Sequence, residues 1–346
     1  MWTENKVFKE DLEYITSAGF IDWQKLDNKT VFVTGATGLI GYTFVSALLY
    51  RNLKYQSNIK IIALVRNITK AKEKFAEQLK QNLSLKFVIG NVENLPPIDD
   101  EIDYIIHGAN PTASSYFVGN PVETIKTASW GTNNILNLAK EKNISGLAYL
   151  SSMEVYGAPH TDELIDETHG TTVDTMSVRS CYPEAKRLCE ALCASYADEY
   201  KVPAKVVRLV QTFGPGIDKN DNRVFAEFLR CAMQKQDIIL QTEGTSKRCY
   251  LYTADAVTAI LTVLLNGKAG KAYNAANKNT YCSIIEMAQM VAHELANDEI
   301  KVVINVNEKS KHKFPPPHKL NLDVSKLECL GWKATRSLVE MYGRMK

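Results

Sequence analysis

Apolar and polar residues follow two different periods along the middle of this chain. Short, nearly continuous apolar runs, such as the one at 30–34, alternate with stretches in which apolar residues recur every three or four positions. The first pattern predicts buried strands and the second predicts amphipathic helices. Strands are predicted at 30–34, 59–65, 85–89, 102–107, 147–150 and 204–209, and helices at 39–49, 72–81, 122–142 and 182–199. Because strands that are apolar on both faces alternate with helices, we predict an α/β fold with a doubly wound parallel sheet.

The two ends of the chain depart from this alternation. Apolar residues near the N-terminus have loosely helical spacing, which predicts a short amphipathic segment packed outside the first strand. Beyond residue 213 the pattern predicts a helix at 224–234, a strand at 238–240, a helix at 254–265, a break at 314–317 and a closing helix within 327–342. We therefore predict a helical extension (1–29), a Rossmann-like dinucleotide-binding domain (30–213) and a smaller substrate-binding lobe (214–346) interleaved with it.

Charge and cysteine content narrow the class of protein. The 346 residues include 41 Lys+Arg and 39 Asp+Glu, a formal charge of +2 without long runs of one sign, which argues against nucleic acid or anionic membranes as partners. The N-terminus lacks a signal-peptide pattern and no apolar stretch is long enough to span a bilayer, so we predict a cytoplasmic protein. None of the seven cysteines forms a Cys-x-x-Cys pair, and Cys189 and Cys193 lie one helical turn apart among apolar residues. We therefore predict free, buried thiols and no metal site.

Three glycines lie between the first predicted strand and its helix. Gly35, Gly38 and Gly41 have the spacing G-x-x-G-x-x-G. Glycines at such a turn let the backbone approach a pyrophosphate closely, and the helix N-terminus offers unpaired N–H groups to it. The sequence therefore predicts a dinucleotide site here.

The end of the second predicted strand bears on which dinucleotide is bound. NAD-binding folds usually have an acid there for the ribose 2′-hydroxyl, whereas an arginine can accept the 2′-phosphate of NADP. This chain has Arg66 at that point, which favours NADP(H) over NAD, although a solvated arginine is a common alternative. Asn91, after the third strand, is a candidate for the adenine edge or simply a turn residue.

A tyrosine and a lysine lie four residues apart at the start of the helix at 182–199. Tyr182 and Lys186 therefore project from one helix face. An ammonium beside a phenol is expected to lower the phenol's pKa toward working pH, as proton exchange with a sugar hydroxyl or ketone requires. Ser152, just past the strand at 147–150, can hydrogen-bond the same oxygen. These three residues predict the proton-transfer site of an oxidoreductase, with Lys186 also binding the nicotinamide ribose.

With these motifs in view, the chain resembles the extended short-chain dehydrogenase/reductases, and among them the NAD-dependent epimerase/dehydratase family, over residues 30–335. The resemblance also includes the segments Gly131-Thr132-Asn133-Asn134-Ile135-Leu136, Phe213-Gly214-Pro215-Gly216, Arg248-Cys249-Tyr250-Leu251-Tyr252-Thr253-Ala254-Asp255-Ala256 and Leu330-Gly331-Trp332. It implies a nucleotide-sugar substrate, a role in making precursors of surface polysaccharides, and a homodimer formed through the helices at 122–142 and 182–199.

The resemblance also implies a set of ligand-binding residues. The further cofactor contacts are Thr37, Leu39, Ile40, Val92, Gly108, Ala109, Asn110, Leu150 and Leu209. The substrate contacts are Met153, Gln211, Arg223, Val224 and Arg248. Within this set, Arg248 is expected to grip the substrate diphosphate, because a planar guanidinium forms paired bonds to phosphate.

The segment Ser152-Met153-Glu154 departs from the patterns of the family's best-known branches. Sugar 4,6-dehydratases typically have Thr-Asp-Glu there, and the aspartic acid protonates the departing hydroxyl. Met153 cannot donate a proton, so ordinary dehydration is not expected, while Glu154 remains available as a base. The UDP-glucuronate decarboxylases are more similar, but they typically have Thr-Ser-Glu there and Gly-Pro-Arg where this chain has Gly214-Pro215-Gly216.

Four functions therefore stay open at this point. The first is hydride transfer at the C4 carbon of a nucleotide sugar, with epimerisation next to the ketone. The second is reduction of a nucleotide-linked or phosphorylated ketose with NADPH, including an open-chain ketose reduced to an alditol. The third is decarboxylation of a nucleotide-linked uronate. The fourth, from a different class, is a dinucleotide-binding regulatory protein without turnover.

Overall fold

The computed structural model describes residues 5–81, 84–170, 173–218, 220–306 and 317–346. The strands are β1 (Thr30–Thr34), β2 (Lys60–Val65), β3 (Leu85–Ile89), β4 (Tyr104–His107), β5 (Gly146–Ser152), β6 (Ala204–Leu209), β7 (Gln211–Phe213), β8 (Ile238–Leu240), β9 (Lys247–Tyr252), β10 (Ala272–Ala275), β11 (Asn277–Ser283), β12 (Val302–Ile304) and β13 (Lys319–Leu320). The α-helices are α1 (Lys6–Ser17), α2 (Leu39–Tyr55), α3 (Ile68–Lys74), α4 (Ala76–Lys80), α5 (Ser114–Gly119), α6 (Pro121–Glu141), α7 (Cys181–Glu199), α8 (Val224–Gln234), α9 (Thr253–Asn266), α10 (Ile284–Met290), α11 (Ser325–Glu328) and α12 (Leu338–Gly343). Residues 1–4 of the predicted extension and 314–316 of the predicted break lie outside the described residues.

A parallel sheet of seven strands forms the centre of the described structure. Its order is β10-β6-β5-β4-β1-β2-β3, and each neighbouring pair is parallel. The chain starts at β1 in the middle, moves outward to β3, and then returns to β4 on the other side of β1. The predicted doubly wound sheet is therefore confirmed. Such a sheet has its ligand crevice at the carboxyl ends of the strands where the order reverses, here between β1 and β4.

Side chains of successive strand residues enter two separate cores. Val31 and Val33 pack on one face of the sheet with apolar residues of α2 and α9. Phe32 points to the other face, where it packs with residues of α6 and α7 that include Cys189 and Cys193. Both cysteines are buried free thiols, as predicted. Helices thus cover both faces, which explains why these strands are apolar throughout.

Residues beyond 213 contribute to the central sheet as well as to a second layer. β10 pairs with β6 at one edge of the central sheet, and the sequence pattern did not predict it. A smaller sheet contains β11, β9 and β13, with β7 also paired to β9. β8 and β12 form a further pair. We call the smaller sheet and the β8–β12 pair the second layer. It begins with β7, directly after the carboxyl end of β6, so it borders the crevice at the carboxyl ends of the central strands.

The N-terminal segment is a helix that is tied to the C-terminal half of the chain. α1 packs against α2 and α9. The Tyr14 hydroxyl donates to Asp255 at 3.0 Å, and the Tyr252 hydroxyl donates to Asp11 at 2.6 Å. Arg344 adds a third link, because its Nη2 donates to the same Asp11 carboxylate at 2.8 Å. Within the described ranges, no helix combines the length and the apolar character needed to cross a bilayer.

Candidate active site

The glycine turn between β1 and α2 brings backbone atoms very close together. Gly35 has a φ of +75°, and a Cβ on it would lie 2.8 Å from the carbonyl of Gly108. A Cβ on Gly41 would lie 2.2 Å from the Gly35 carbonyl oxygen. Gly38 is the N-cap of α2 and has no side chain to occupy the first N–H groups of the helix. The turn therefore presents bare backbone donors to a ligand, and the residues fit a dinucleotide pyrophosphate.

The end of β4 forms the second wall of this crevice. The Thr34 hydroxyl accepts hydrogen bonds from the backbone N–H groups of Gly108 and Ala109 at 3.2 and 3.1 Å, which fixes the chain beside the glycine turn. The amide nitrogen and oxygen of the Asn110 side chain are both buried and have no hydrogen-bond partner among the described residues. Because buried polar atoms are normally paired, Asn110 is suited to a polar ligand in the crevice.

Ser152, Glu154 and Tyr182 come together at the end of β5. The Ser152 hydroxyl accepts from the backbone N–H of Glu154 at 3.2 Å and lies within hydrogen-bonding reach of the Tyr182 phenol. Phe117 of α5 stacks on the Tyr182 ring, with centroids 4.9 Å apart and planes at 13°. Tyr182 is consequently buried, with 5% of the residue's surface exposed. The predicted serine and tyrosine are thus neighbours, and Phe117 is an addition that the sequence did not indicate.

Lys186 lies in α7, one helical turn after Tyr182. Its ammonium donates to the Leu150 carbonyl at 2.7 Å, which ties α7 to β5. The ammonium also lies 4.7 Å from the Tyr149 ring centroid and 5.8 Å from that of Tyr182. Burial lowers the pKa of Lys186 to about 8. Burial, and to a smaller extent the Lys186 charge, lowers the pKa of His107 to about 3. The His107 imidazole is therefore neutral at neutral pH.

The direction of the Tyr182 pKa differs from the sequence prediction. The pKa is raised, chiefly because the phenol is buried and then because the Glu154 carboxylate faces it. The predicted lowering by Lys186 is not found, since that ammonium is directed to the Leu150 carbonyl. Tyr182 is therefore a protonated phenol at neutral pH, ready to donate its proton to an oxygen placed beside it.

Replacing Lys186 by methionine is expected to stabilise the fold in a pH-dependent way. Below about pH 8, the wild type has a full charge buried at this position in the folded state, while the unfolded lysine is solvated. Above that pH the folded lysine loses its proton before the unfolded one, so wild-type stability rises with pH. The stability advantage of Lys186→Met should therefore shrink by on the order of 2 kcal/mol between about pH 7 and about pH 10.

Urea unfolding of both proteins across this pH range measures the difference. Lys72→Met is the matched control, because Lys72 is exposed on α3 and its substitution should give a pH-independent difference near zero. A constant difference between Lys186→Met and the wild type would contradict the buried-charge interpretation.

Two of the predicted substrate residues, Arg248 and Gln211, lie on strands of the smaller sheet. Arg248 of β9 donates from Nη2 to His318 Nε2 across 3.0 Å, while its Nε is buried and without a hydrogen-bond partner among the described residues. Gln211 of β7 lies opposite Tyr250 of β9, so Gln211 and Arg248 project from neighbouring strands. An unpaired guanidinium N–H at this place suits an oxyanion such as a phosphate.

A second arginine lies nearer to the phenol. The Nε of Arg223 donates to Asp221 at 3.0 Å, and the guanidinium charge acts on Tyr182, where it opposes the rise in pKa. Arg223 is the N-cap of α8, and Val224 is the first residue of that helix. The structure thus brings Arg223 to the side of the second layer that faces Tyr182.

The other predicted contacts fall into exposed and buried groups. Thr37 and Arg66 are exposed at the carboxyl ends of β1 and β2, and Leu39 and Ile40 in the first turn of α2 are half-buried. The Asn91 side chain accepts from the Asn94 N–H at 2.7 Å, as expected of a turn residue. Val92, Met153 and Leu209 are buried, and Met153 belongs to the main core.

Sequence reasoning missed two side chains that contact predicted site residues. Phe117 lies in a segment with no apolar period, and only the fold places it on Tyr182. His318 is 70 residues from Arg248 in sequence, and the two meet because the chain returns to pair β13 with β9. Neither contact carries a local sequence signal, since both depend on long-range pairing.

The chain is similar in sequence to a decarboxylase and in structure to two epimerases. UDP-glucuronic acid decarboxylase 6 of Arabidopsis thaliana is 30% identical over 320 residues, which cover 90% of this chain and 86% of that protein. Among solved structures, an epimerase of Methanothermobacter thermautotrophicus has a TM-score of 0.77 at 22% identity and covers 95% of this chain and 94% of its own. UDP-glucuronic acid 4-epimerase of Bacillus cereus, solved in complex with NAD, has a TM-score of 0.72 at 19% identity and covers 91% of this chain and 97% of its own.

The parallel sheet, the glycine turn and the Ser152, Tyr182 and Lys186 set define an enzyme of the extended short-chain dehydrogenase/reductase type. The profile of the NAD-dependent epimerase/dehydratase family matches residues 31–276. The chain belongs to that family, as the sequence resemblance predicted.

Proposed function

We propose that this enzyme transfers hydride at the C4 carbon of a nucleotide-linked sugar. When bound, the nicotinamide dinucleotide supplies the hydride acceptor and donor. Tyr182 moves the proton of the C4 oxygen, Ser152 hydrogen-bonds that oxygen, and Lys186 holds the nicotinamide ribose. The observation that carries the proposal is the meeting of Ser152 and Tyr182, above Lys186, at the carboxyl ends of the strands beside the glycine turn.

The nucleotide end of the substrate is assigned to the second layer. Arg248 has a buried Nε–H without a partner among the described residues, and a diphosphate oxygen would satisfy it. Gln211 on the neighbouring strand and Arg223 near the phenol lie along the same side. The sugar would then lie between Arg248 and Tyr182, over Glu154.

Met153 limits the reactions that can come after oxidation at C4. A methionine thioether has no proton to donate to a departing hydroxyl, and this side chain is buried in the main core. A uronate behaves differently, because oxidation at C4 places a ketone β to its carboxylate, and the carbonyl accepts the electrons released with CO2. Decarboxylation therefore needs no acid at position 153, in line with the Arabidopsis decarboxylase to which the chain is similar.

A ketoreductase is the second candidate, and a specific observation favours it. Tyr182 is a buried phenol that keeps its proton, as donation to a ketone oxygen requires. Arg66 at the end of β2 adds support, because net reduction consumes NADPH whereas decarboxylation and epimerisation return the hydride to the same site.

Product analysis distinguishes these candidates. The purified enzyme is incubated with UDP-glucuronate, UDP-glucose and their 4-keto derivatives, and the products are analysed by NMR while NAD(P)H absorbance is followed. Release of CO2 with a pentose product supports the decarboxylase, and a C4 epimer supports the epimerase. Consumption of NADPH with a 4-keto substrate supports the reductase. Failure to exchange deuterium between C4-labelled sugars and the dinucleotide would contradict hydride transfer at C4.

We also propose a homodimer formed by the outer faces of α6 and α7. Val122 and Trp130 of α6 are 60% and 56% exposed, and Leu188 of the adjacent α7 is 48% exposed. Large apolar side chains grouped on two neighbouring helices are typical of a helical interface.

Substituting Trp130 by glutamate is expected to give a monomer. A charge at the centre of an apolar interface is costly to bury, so light scattering at about 10 µM should change from a dimer mass to a monomer mass. Ile239→Glu is the control. Ile239 is 44% exposed on β8, away from α6 and α7 in sequence, and its substitution should leave the mass unchanged. A wild-type monomer, or a Trp130→Glu dimer, would reject this interface.

A further inference from the structure

α3 brings a lysine back onto the glycine turn. β1 and β2 are parallel neighbours, with Thr34 paired to Leu64, so the turn after β1 and Arg66 after β2 lie at the same edge of the sheet. α3 begins two residues after Arg66 and ends at Lys74, whose ammonium donates to the Thr37 carbonyl at 2.7 Å. The charge of Lys74 is therefore fixed on the turn itself.

No acidic residue follows β2 at the place where a ribose diol would be bound. The strand ends in Val65-Arg66-Asn67, and the Asn67 side chain caps α3 by accepting from the Lys70 N–H at 3.0 Å. Asp218 is the acid whose charge acts on Lys74, and it belongs to the segment after β7. Arg66, Thr37 and Lys74 are all exposed at this edge. A ligand group placed here meets two cations and the hydroxyl of Thr37.

We propose that Lys74 and Arg66 together bind the 2′-phosphate of NADP(H), so that the enzyme prefers NADP(H) to NAD(H). A 2′-phosphate carries close to two negative charges and several acceptor oxygens, which suit one guanidinium and one ammonium. The NAD ribose offers neutral hydroxyls, for which a carboxylate is the usual partner, and none follows β2 here. This proposal rests on the proposed dinucleotide site and deepens it by naming the cofactor.

Lys74 has a defined task in this arrangement. Arg66 directly follows β2 and is exposed, whereas Lys74 is the last residue of α3 and donates to the Thr37 carbonyl of the glycine turn. The two cations therefore approach the 2′ position from different elements. Loss of either one should weaken phosphate recognition without opening the pyrophosphate cradle.

The test compares two small ligands that differ only by the 2′-phosphate. Isothermal titration of the full chain with adenosine 2′,5′-bisphosphate and with 5′-AMP, at one ionic strength, measures the phosphate's contribution directly. Fluorescence titration with NADPH and NADH repeats the comparison on intact cofactors. Lys74→Met and Arg66→Met are the variants, and Lys72→Met is the control because Lys72 is exposed on the same helix.

We expect the wild type to bind the 2′-phosphorylated ligand of each pair more tightly. Lys74→Met should lower the affinity for that ligand by about 10-fold, since one charge-assisted contact is lost. The 5′-AMP affinity should change by less than about 2-fold. Arg66→Met should behave similarly, and Lys72→Met should leave both affinities unchanged.

Several results would overturn the proposal. Equal wild-type affinities for both ligands of a pair, or a Lys74→Met variant that weakens both ligands equally, would show that Lys74 only supports the turn. Those results would leave the dinucleotide site standing. If the wild type bound neither the adenosine ligands nor the intact cofactors, the proposed function would fail together with this inference.

Discussion

Tyr182→Phe is expected to lower turnover by about 10³-fold while cofactor affinity stays within about 2-fold of the wild type, because only the proton-transfer group is removed. The hydroxyl lies within reach of Ser152, and no described backbone group depends on it. The ring would keep its stacking on Phe117, so the fold and the buried surface are retained. Steady-state turnover of the substrate identified by NMR, together with NADPH titration, measures the two quantities separately.

The control for this variant is a second buried tyrosine near the same lysine. Tyr149 has its ring centroid 4.7 Å from the Lys186 ammonium but projects from β5 into the core. Tyr149→Phe should therefore keep turnover within about 5-fold of the wild type. A Tyr182→Phe enzyme with near-normal turnover would exclude Tyr182 as the proton donor.

The burial of Tyr182 explains why its role is hard to infer from sequence spacing alone. The four-residue spacing to Lys186 places both side chains on one face of α7, and the structure confirms that placement. It does not reveal that Leu150 supplies a carbonyl to the ammonium, or that Glu154 faces the phenol. These neighbours come from β5 and the turn after it. Burial of the phenol, and after it the Glu154 carboxylate, raises the pKa of Tyr182, which is opposite to the expected direction.

The strands show the same division between local and long-range information. β1, β3 and β6 were predicted with their observed bounds because each is a short, largely apolar run of residues. β10 was missed, because four residues that include Asn274 carry little strand signal and gain their pairing from β6. Asn274 is buried there and accepts from the Tyr156 hydroxyl at 2.7 Å, a contact 118 residues apart in sequence.

The glycine turn was predicted well because its constraint is local and steric. The three glycines differ in how closely an added Cβ would approach the neighbouring backbone. A Cβ on Gly38 would lie 3.3 Å from the Gly35 carbonyl oxygen, so that oxygen would need to move by only a few tenths of an ångström. A Cβ on Gly41 would lie 2.2 Å from that oxygen and 2.9 Å from the Ala36 Cα, both backbone atoms of the same turn.

Gly41→Ala is therefore expected to destabilise the fold by about 2–3 kcal/mol and to weaken dinucleotide binding by more than about 100-fold. The methyl group can be accommodated only if the turn opens, which moves the N-terminus of α2 away from the site of the pyrophosphate. Urea unfolding and NADPH titration measure the two effects.

Two glycine variants are the controls. Gly38→Ala should keep nearly full stability. Gly19→Ala should affect neither stability nor binding, because no atom lies within 4 Å of its new Cβ. Suppose that Gly41→Ala had the stability and the NADPH affinity of the wild type. The backbone of this turn could then not be the pyrophosphate cradle, and a phosphate would not lie next to Lys74.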